Sequence, residues 1–166
     1  MPELEETPTM LPLRAGVEAR DLSAVVDAFA PDAIVRSPIT GAITFEGREQ
    51  IGALMRVILD VFEDIRYTDE VRSGETALLV ASTRVDGTDL EFADHMRLDA
   101  SGKIRELTVF FRPMPAIAVA ARAIGEGLAR RRSPTRARVI SVLVRPLILL
   151  TRVGDRVAAG LVRPTI

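Results

Sequence analysis

Residues 91–99, EFADHMRLD, alternate apolar and polar side chains in the manner of a β-strand. Every second residue puts Phe92, Asp94, Met96 and Leu98 on one face, and Glu91, Ala93, His95 and Arg97 on the other. The first row reads as a core face with an acid in its middle. Aspartate is almost never fully buried unless it is paired or chemically employed. Among Phe92, Met96 and Leu98 the Asp94 carboxyl loses hydration without an evident cation, which raises its pKa. An acid kept neutral in an apolar pocket can give a hydrogen bond or a proton to a ligand oxygen, so Asp94 is the candidate catalytic residue. The alternative is an acid hydrogen-bonded to a hydroxyl or backbone group within the fold. His95, the single histidine, falls on the outer row and reads as a structural or interface side chain.

Other chemistries find little support. With no cysteine there is no disulfide framework, thiolate nucleophile or zinc-thiolate site. One histidine leaves no His-rich metal cluster and little for a Ser–His triad. There is no G-x-x-x-x-G-K-[ST], G-x-S-x-G or H-E-x-x-H, and GEG at 125–127 lacks the rest of a dinucleotide fingerprint. Neither a metal nor a cofactor is indicated. The acidic N-terminus, MPELEETPTM, has no apolar core of signal-peptide length, so the expected location is the cytoplasm.

The elements that must position Asp94 follow from periodicity. LSAVVDAF, residues 22–29, places Leu22, Val25, Val26 and Phe29 on one helical face, with Asp21 as N-cap and Pro31 at the exit. A helix around 11–19 precedes it. AIVRS and AITFEG read as short strands about a turn at Pro38–Gly41. GREQIGALMRVILDVF carries the clearest apolar stripe, Ile51, Leu54, Met55, Ile58, Leu59 and Phe62, with Gly47 as the expected N-cap. Strands over about 65–72, 76–86, 89–99 and 103–112 follow, joined by the turn signals SGE, DGTD and DASGK. Helices first and an antiparallel meander after them predict an α+β layer fold.

DLSAVVDAFAPDAIVRSP, FEGREQIGALMR and ADHMRLDASGKIRELTVFF together resemble the nuclear transport factor 2-like superfamily, which includes SnoaL-like proteins and ketosteroid isomerases. The resemblance covers about residues 11–112. It implies a cystatin-like cone, a curved antiparallel sheet wrapped around N-terminal helices with a deep apolar pocket, and a homodimer formed through the outer sheet face. It also places Asp94 on the acid of the isomerase oxyanion hole, which apolar surroundings keep protonated. The position of the catalytic base falls on Ser37, and that of the partner tyrosine on about Leu13; the only tyrosine, Tyr67, lies elsewhere. Isomerisation needs a base for the α-proton as well as donors for the enolate, so steroid isomerisation by that mechanism is not expected. Ser37 reads as a turn or pocket-rim residue.

Leu79, Ala81, Thr83, Leu107, Val109 and Phe111 share the Asp94 face with Phe92 and Met96. Each is singly explained as core, and together they suit a pocket for a small apolar or aromatic molecule. The leading expectation is therefore a ligand-binding cone, with isomerase-, cyclase- or hydrolase-type chemistry as its extension. The competing one is a non-catalytic dimeric association module whose basic C-terminal helices bind a protein partner or an anionic membrane.

That second expectation rests on charge. Residues 1–112 hold 12 Lys/Arg against 21 Asp/Glu, and residues 113–166 hold 10 Arg against Glu126 and Asp155. The two segments, a cone over 1–112 and an extension over 113–166, meet at RPMP, where Pro113 and Pro115 end what precedes them. Residues 115–131 read as a helix, and a second restarts with Ser133 as N-cap and Pro134 at its first position. Arg131, Arg138, Arg145 and Arg152 recur every seven residues, while Val139, Ile140, Val142, Leu143, Leu147, Ile148 and Leu150 fill the other sides. Pro146 is expected to kink or break this helix. The extension is expected to dock its apolar side on protein. A membrane surface bound through 133–163 is the less favoured reading, and nucleic acid is not expected because the extension has no aromatics for stacking.

Overall fold

Asp21 opens the second helix by accepting hydrogen bonds from the N–H groups of Ser23 and Ala24 at 2.9 and 3.1 Å. In the computed structural model, which describes residues 10–162, that helix is α2 (Leu22–Asp27), preceded by α1 (Pro12–Glu18). The two pack so closely that a Cβ on Gly16 would lie 2.8 Å from the backbone nitrogen of Val25. The helix predicted over 22–29 stops at Asp27, because Phe29 is fully buried and already begins β1 (Phe29–Arg36). Pro31 sits where the register of β1 shifts, a place that tolerates a residue without a backbone donor.

β2 (Thr44–Glu46) runs straight into α3 (Gly47–Val61). Gly47 is the first residue of that helix rather than its cap, which is Glu46; the abrupt strand-to-helix turn requires the positive φ of 74° at Gly47. Gln50 supports the turn by accepting the Glu46 N–H at 3.2 Å, and Arg48 donates from Nε and Nη2 to the Phe29 carbonyl at 2.8 and 2.6 Å. The GREQI stretch thus builds a junction.

β3 (Glu63–Ser73), β4 (Thr76–Val85), β5 (Thr88–Leu98) and β6 (Ile104–Arg112) complete a six-stranded sheet ordered β2-β1-β6-β5-β4-β3. β1 runs parallel to β6, and every other pairing is antiparallel. Between β5 and β6, Asp99 accepts from the N–H of Ser101 and Lys103 at 2.8 and 2.9 Å, and Gly102 takes a φ of 80°. The hydrogen bond from the Ser101 hydroxyl, then that from the Lys103 amide, holds the Asp99 carboxyl below its ordinary pKa. The concave face and α1–α3 enclose the core, with Phe29, Ile51, Leu79, Met96 and Leu107 fully buried. The fold is α+β.

The C-terminal extension forms α4 (Met114–Arg130) and α5 (Pro134–Leu161). α4 packs against α3 and the last three strands, and its Ala116, Val119, Ala120, Ala123 and Ile124 join the same core. Ser133 occupies the N-cap position of α5 but makes no side-chain capping bond. Of the kink or break expected at Pro146, the break does not occur: α5 is continuous through it. Proline removes the N–H that would meet the Val142 carbonyl, and both residues lie on the exposed side, where water can serve that carbonyl. α5 packs on α4 through a narrow stripe, and Ile140 Cγ2 would stand 3.1 Å from a Cβ on Gly125. Most of the aliphatic surface expected to dock on protein stays in solvent, with Val142 65%, Leu143 71% and Leu150 69% exposed. The arginine row and this broad apolar sector occupy sides of α5 that α4 does not reach.

Candidate functional site

The cone encloses a cavity of about 190 Å³, which is below the roughly 300–1,000 Å³ of ordinary small-molecule sites and suits a compact ligand. Four elements wall it. α1 contributes Leu13 and Val17, and α3 contributes Leu54, Met55 and Ile58. The sheet supplies Phe92, Asp94, Leu107, Val109 and Phe111, and α4 closes the remaining side with Ala121, Ile124, Gly125 and Leu128. Phe62 meets Phe92 and Phe111 at a tilt with centroids 5.9 and 6.1 Å apart, while Phe92 meets Phe111 and Tyr67 edge-on at 6.5 and 6.3 Å.

Asp94 is 7% exposed and lines the cavity. Its strand neighbours are Leu79 on β4 and Val109 on β6, so no cation flanks it across the sheet. Burial pushes its pKa from the ordinary 3.8 up to about 7, with no opposing ion pair or hydrogen bond among the described residues. Near neutral pH a large share of Asp94 is therefore an uncharged acid with a proton to donate. Tyr67 also lines the cavity, and burial, followed by the nearby charge of Asp94, raises its phenol pKa. Its hydroxyl stays protonated and is a second donor.

Ser37 sits at the rim beside Ile39 and Ile43, both substantially exposed. Its Oγ accepts the Ile39 N–H at 3.2 Å, a turn-building role in which no base activates it. Among the described residues no other carboxyl, histidine or lysine lines the cavity, and no group of three potential metal ligands occurs. The arrangement can hold or protonate one oxygen in an otherwise apolar space. It offers no second side chain for proton abstraction.

Of the residues expected to form the pocket, the structure brings together Ser37, Phe92, Asp94, Leu107, Val109 and Phe111. Leu79, Ala81, Thr83 and Met96 are buried on the same sheet face but do not reach the cavity. One face of so long a sheet covers both an open space and solid core, and alternation cannot separate the two. Thr83 donates from Oγ1 to the Glu63 carbonyl at 2.7 Å and ties β4 to β3. His95 is half-buried on the convex face, paired with Leu78 and Thr108.

Tyr67 was not among the expected pocket residues. Its strand has a register irregularity between Tyr67 and Asp69, which moves Glu70 rather than Asp69 opposite Leu79 and hides the alternation of Ile65 and Tyr67. The α4 wall was also missed. The alanine-rich pattern of 116–124 marked a helix face without saying what it covers.

A family model described as a SnoaL-like domain matches residues 13–107. Among solved structures, the chain is 31% identical to a steroid delta-isomerase from Pseudomonas aeruginosa, with 75% of this chain and 88% of that one covered at a TM-score of 0.63. A Silicibacter pomeroyi DSS-3 protein with a cystatin-like fold matches 78% of this chain and 89% of its own at 24% identity and a TM-score of 0.68. The epoxide hydrolase/cyclase-like enzyme SalBIII shares the fold at 19% identity and a TM-score of 0.51, over 59% of this chain and 83% of its own. No curated protein matches the chain.

Proposed function

The chain belongs to the SnoaL-like domain family, and on that premise we propose that its cone binds a compact apolar molecule bearing one oxygen acceptor, with Asp94 as the donor to that oxygen. The observation that carries the reading is a buried acid without a protein partner, facing a cavity lined otherwise by aliphatic and aromatic groups. Its oxygens are open to the cavity, and one net hydrogen bond to a ligand oxygen there contributes about 1 kcal/mol. Tyr67 is the second donor. A carbonyl or epoxide oxygen held by Asp94 would be activated by its proton, the acid half of isomerase-, cyclase- or hydrolase-type chemistry. Similar structures are named as a steroid delta-isomerase and an epoxide hydrolase/cyclase-like enzyme, which supports chemistry of that class. The base half has no side chain here, so binding is the primary claim.

A matched pair of probes tests it: tetralin, and 1-tetralone, which adds one carbonyl to the same rings. The wild-type chain is expected to prefer tetralone several-fold, the size of one net hydrogen bond of about 1 kcal/mol. Asp94→Leu should remove the preference while keeping affinity for tetralin. Equal binding of the pair by the wild type, or a preference that Asp94→Leu leaves intact, overturns the proposal.

Association of two copies through the outer sheet face is the second reading, supported by Val71 and Phe110, which are 58% and 57% exposed there. Leu78, Val80 and Ala93 lie between them in the strand register. Sedimentation velocity of Phe110→Glu beside the wild type tests it, with a shift from dimer to monomer expected and a monomeric wild type refuting it.

A further inference from the structure

α5 divides along its length into three sectors. Ala137, Ile140, Ser141, Val144, Ile148 and Thr151 recur at helical spacing and are its buried or half-buried residues, so they mark the side against α4. About a quarter turn away lie Arg138, Arg145 and Arg152, seven residues apart, with Arg156 extending the row. The remaining side carries Val139, Val142, Leu143, Leu150, Val153 and Val157, which are 48% to 71% exposed. This outward apolar sector lies roughly opposite the docked stripe.

Charge narrows what can cover that sector. α5 has five arginines and one acid, Asp155. Among the described residues no ion pair holds Arg138, Arg145, Arg152 or Arg156; Arg152 reaches only the Thr88 hydroxyl, at 3.3 Å. A second α5 would cover aliphatic surface but bring another arginine row with almost no acid to meet it. The missing partner must supply apolar depth and negative charge side by side over about 42 Å of helix. No helix among the described residues is long and apolar enough to cross a membrane, so the helix would lie along a surface rather than through one.

We propose that α5 seats the protein on an anionic lipid surface. Its outward aliphatic side enters the boundary between headgroups and acyl chains, and the arginines stretch their stems along that side to reach the phosphates. The contact needs both parts, because aliphatic insertion alone would not favour anionic over neutral lipid, and an exposed arginine row alone would be lost as salt screens it.

Co-sedimentation of the full chain with vesicles is the test, using phosphatidylcholine alone and phosphatidylcholine mixed with phosphatidylserine. The chain is expected to pellet with the mixed vesicles, much less with phosphatidylcholine alone, and less as salt is raised. Each of Arg138→Gln and Arg145→Gln should lower the partition coefficient about fivefold. Leu143→Asn combined with Leu150→Asn should abolish pelleting while leaving the unfolding midpoint unchanged, since both side chains are largely exposed. The proposal is overturned if the wild type ignores anionic vesicles or if the double leucine variant still pellets. It is equally overturned if that variant splits a dimer in sedimentation velocity, which would give the sector to a second copy of the chain. None of these outcomes depends on what the cone binds.

Discussion

A Cβ placed on Gly127 of α4 would come 2.5 Å from Cγ1 of Val57 on α3. Val57 is 4% exposed and β-branched, so its methyl cannot swing aside. Gly127→Ala gains about 1 kcal/mol of helix propensity but incurs an overpacking cost of about 1–3 kcal/mol. The variant is expected to be about 1 kcal/mol less stable in denaturant unfolding. Val57→Ala loses core packing on its own, but it also removes the clash, so the double variant should be more stable than the sum of the two single changes predicts.

Asp94 gives the protein a pH signature. Its folded pKa of about 7 lies above the ordinary 3.8, so between these values the folded state holds a proton that the unfolded state has released. Stability from this group is complete below about pH 4 and falls as pH rises toward 7, on the order of a few kcal/mol in total. Asp94→Asn should flatten this part of the profile. Unfolding midpoints measured across pH 4 to 8 check it, and a wild-type curve that rises over the window contradicts it.

The same titration should appear in ligand selectivity. The preference for tetralone over tetralin requires the protonated acid, so it is expected to decline as pH passes through about 7. Calorimetric titrations at pH 6 and 8 read the difference directly. A preference that stays the same at both pH values would mean that Tyr67 alone holds the oxygen.

Tyr67→Phe removes a hydroxyl from the cavity without removing the ring that packs on Phe92. It is expected to change stability by less than about 1 kcal/mol and to weaken tetralone binding by less than Asp94→Leu does, with tetralin unaffected. Isothermal titration of both probes checks this.

Thr83→Val tests the division between wall and solid core. Losing the hydrogen bond to the Glu63 carbonyl should cost about 1 kcal/mol in unfolding experiments, while affinity for either probe stays unchanged. Altered binding would place Thr83 within reach of the ligand.

The fold was legible because its local signals agree with its long-range packing. Asp21 caps α2, apolar residues stripe α3, and the turn around Asp99 and Gly102 sets the β5–β6 register that faces Asp94 toward the cavity. Asp94 itself could be placed by alternation alone, since β5 runs without a bulge from Thr88 to Arg97. Tyr67 could not, because β3 breaks its own alternation one residue later. α4 was readable as a helix, but its place as a wall depends on the Gly127–Val57 approach, a contact between residues 70 positions apart. The aliphatic run after Val139 looked like core because hydrophobicity does not say which side of a helix meets protein and which meets something else.

β1 has its strand partners in β2, close in sequence, and in β6, which begins at Ile104. During synthesis, the β2–β1 pair therefore waits for the last strand before its inner edge is covered. A nascent chain that has emerged only to β5 carries an unpaired edge on β1 and another on β5, both flanked by the apolar residues of the future interior. Closure so late, between strands far apart along the chain, favours slow folding and leaves those edges open to other chains meanwhile.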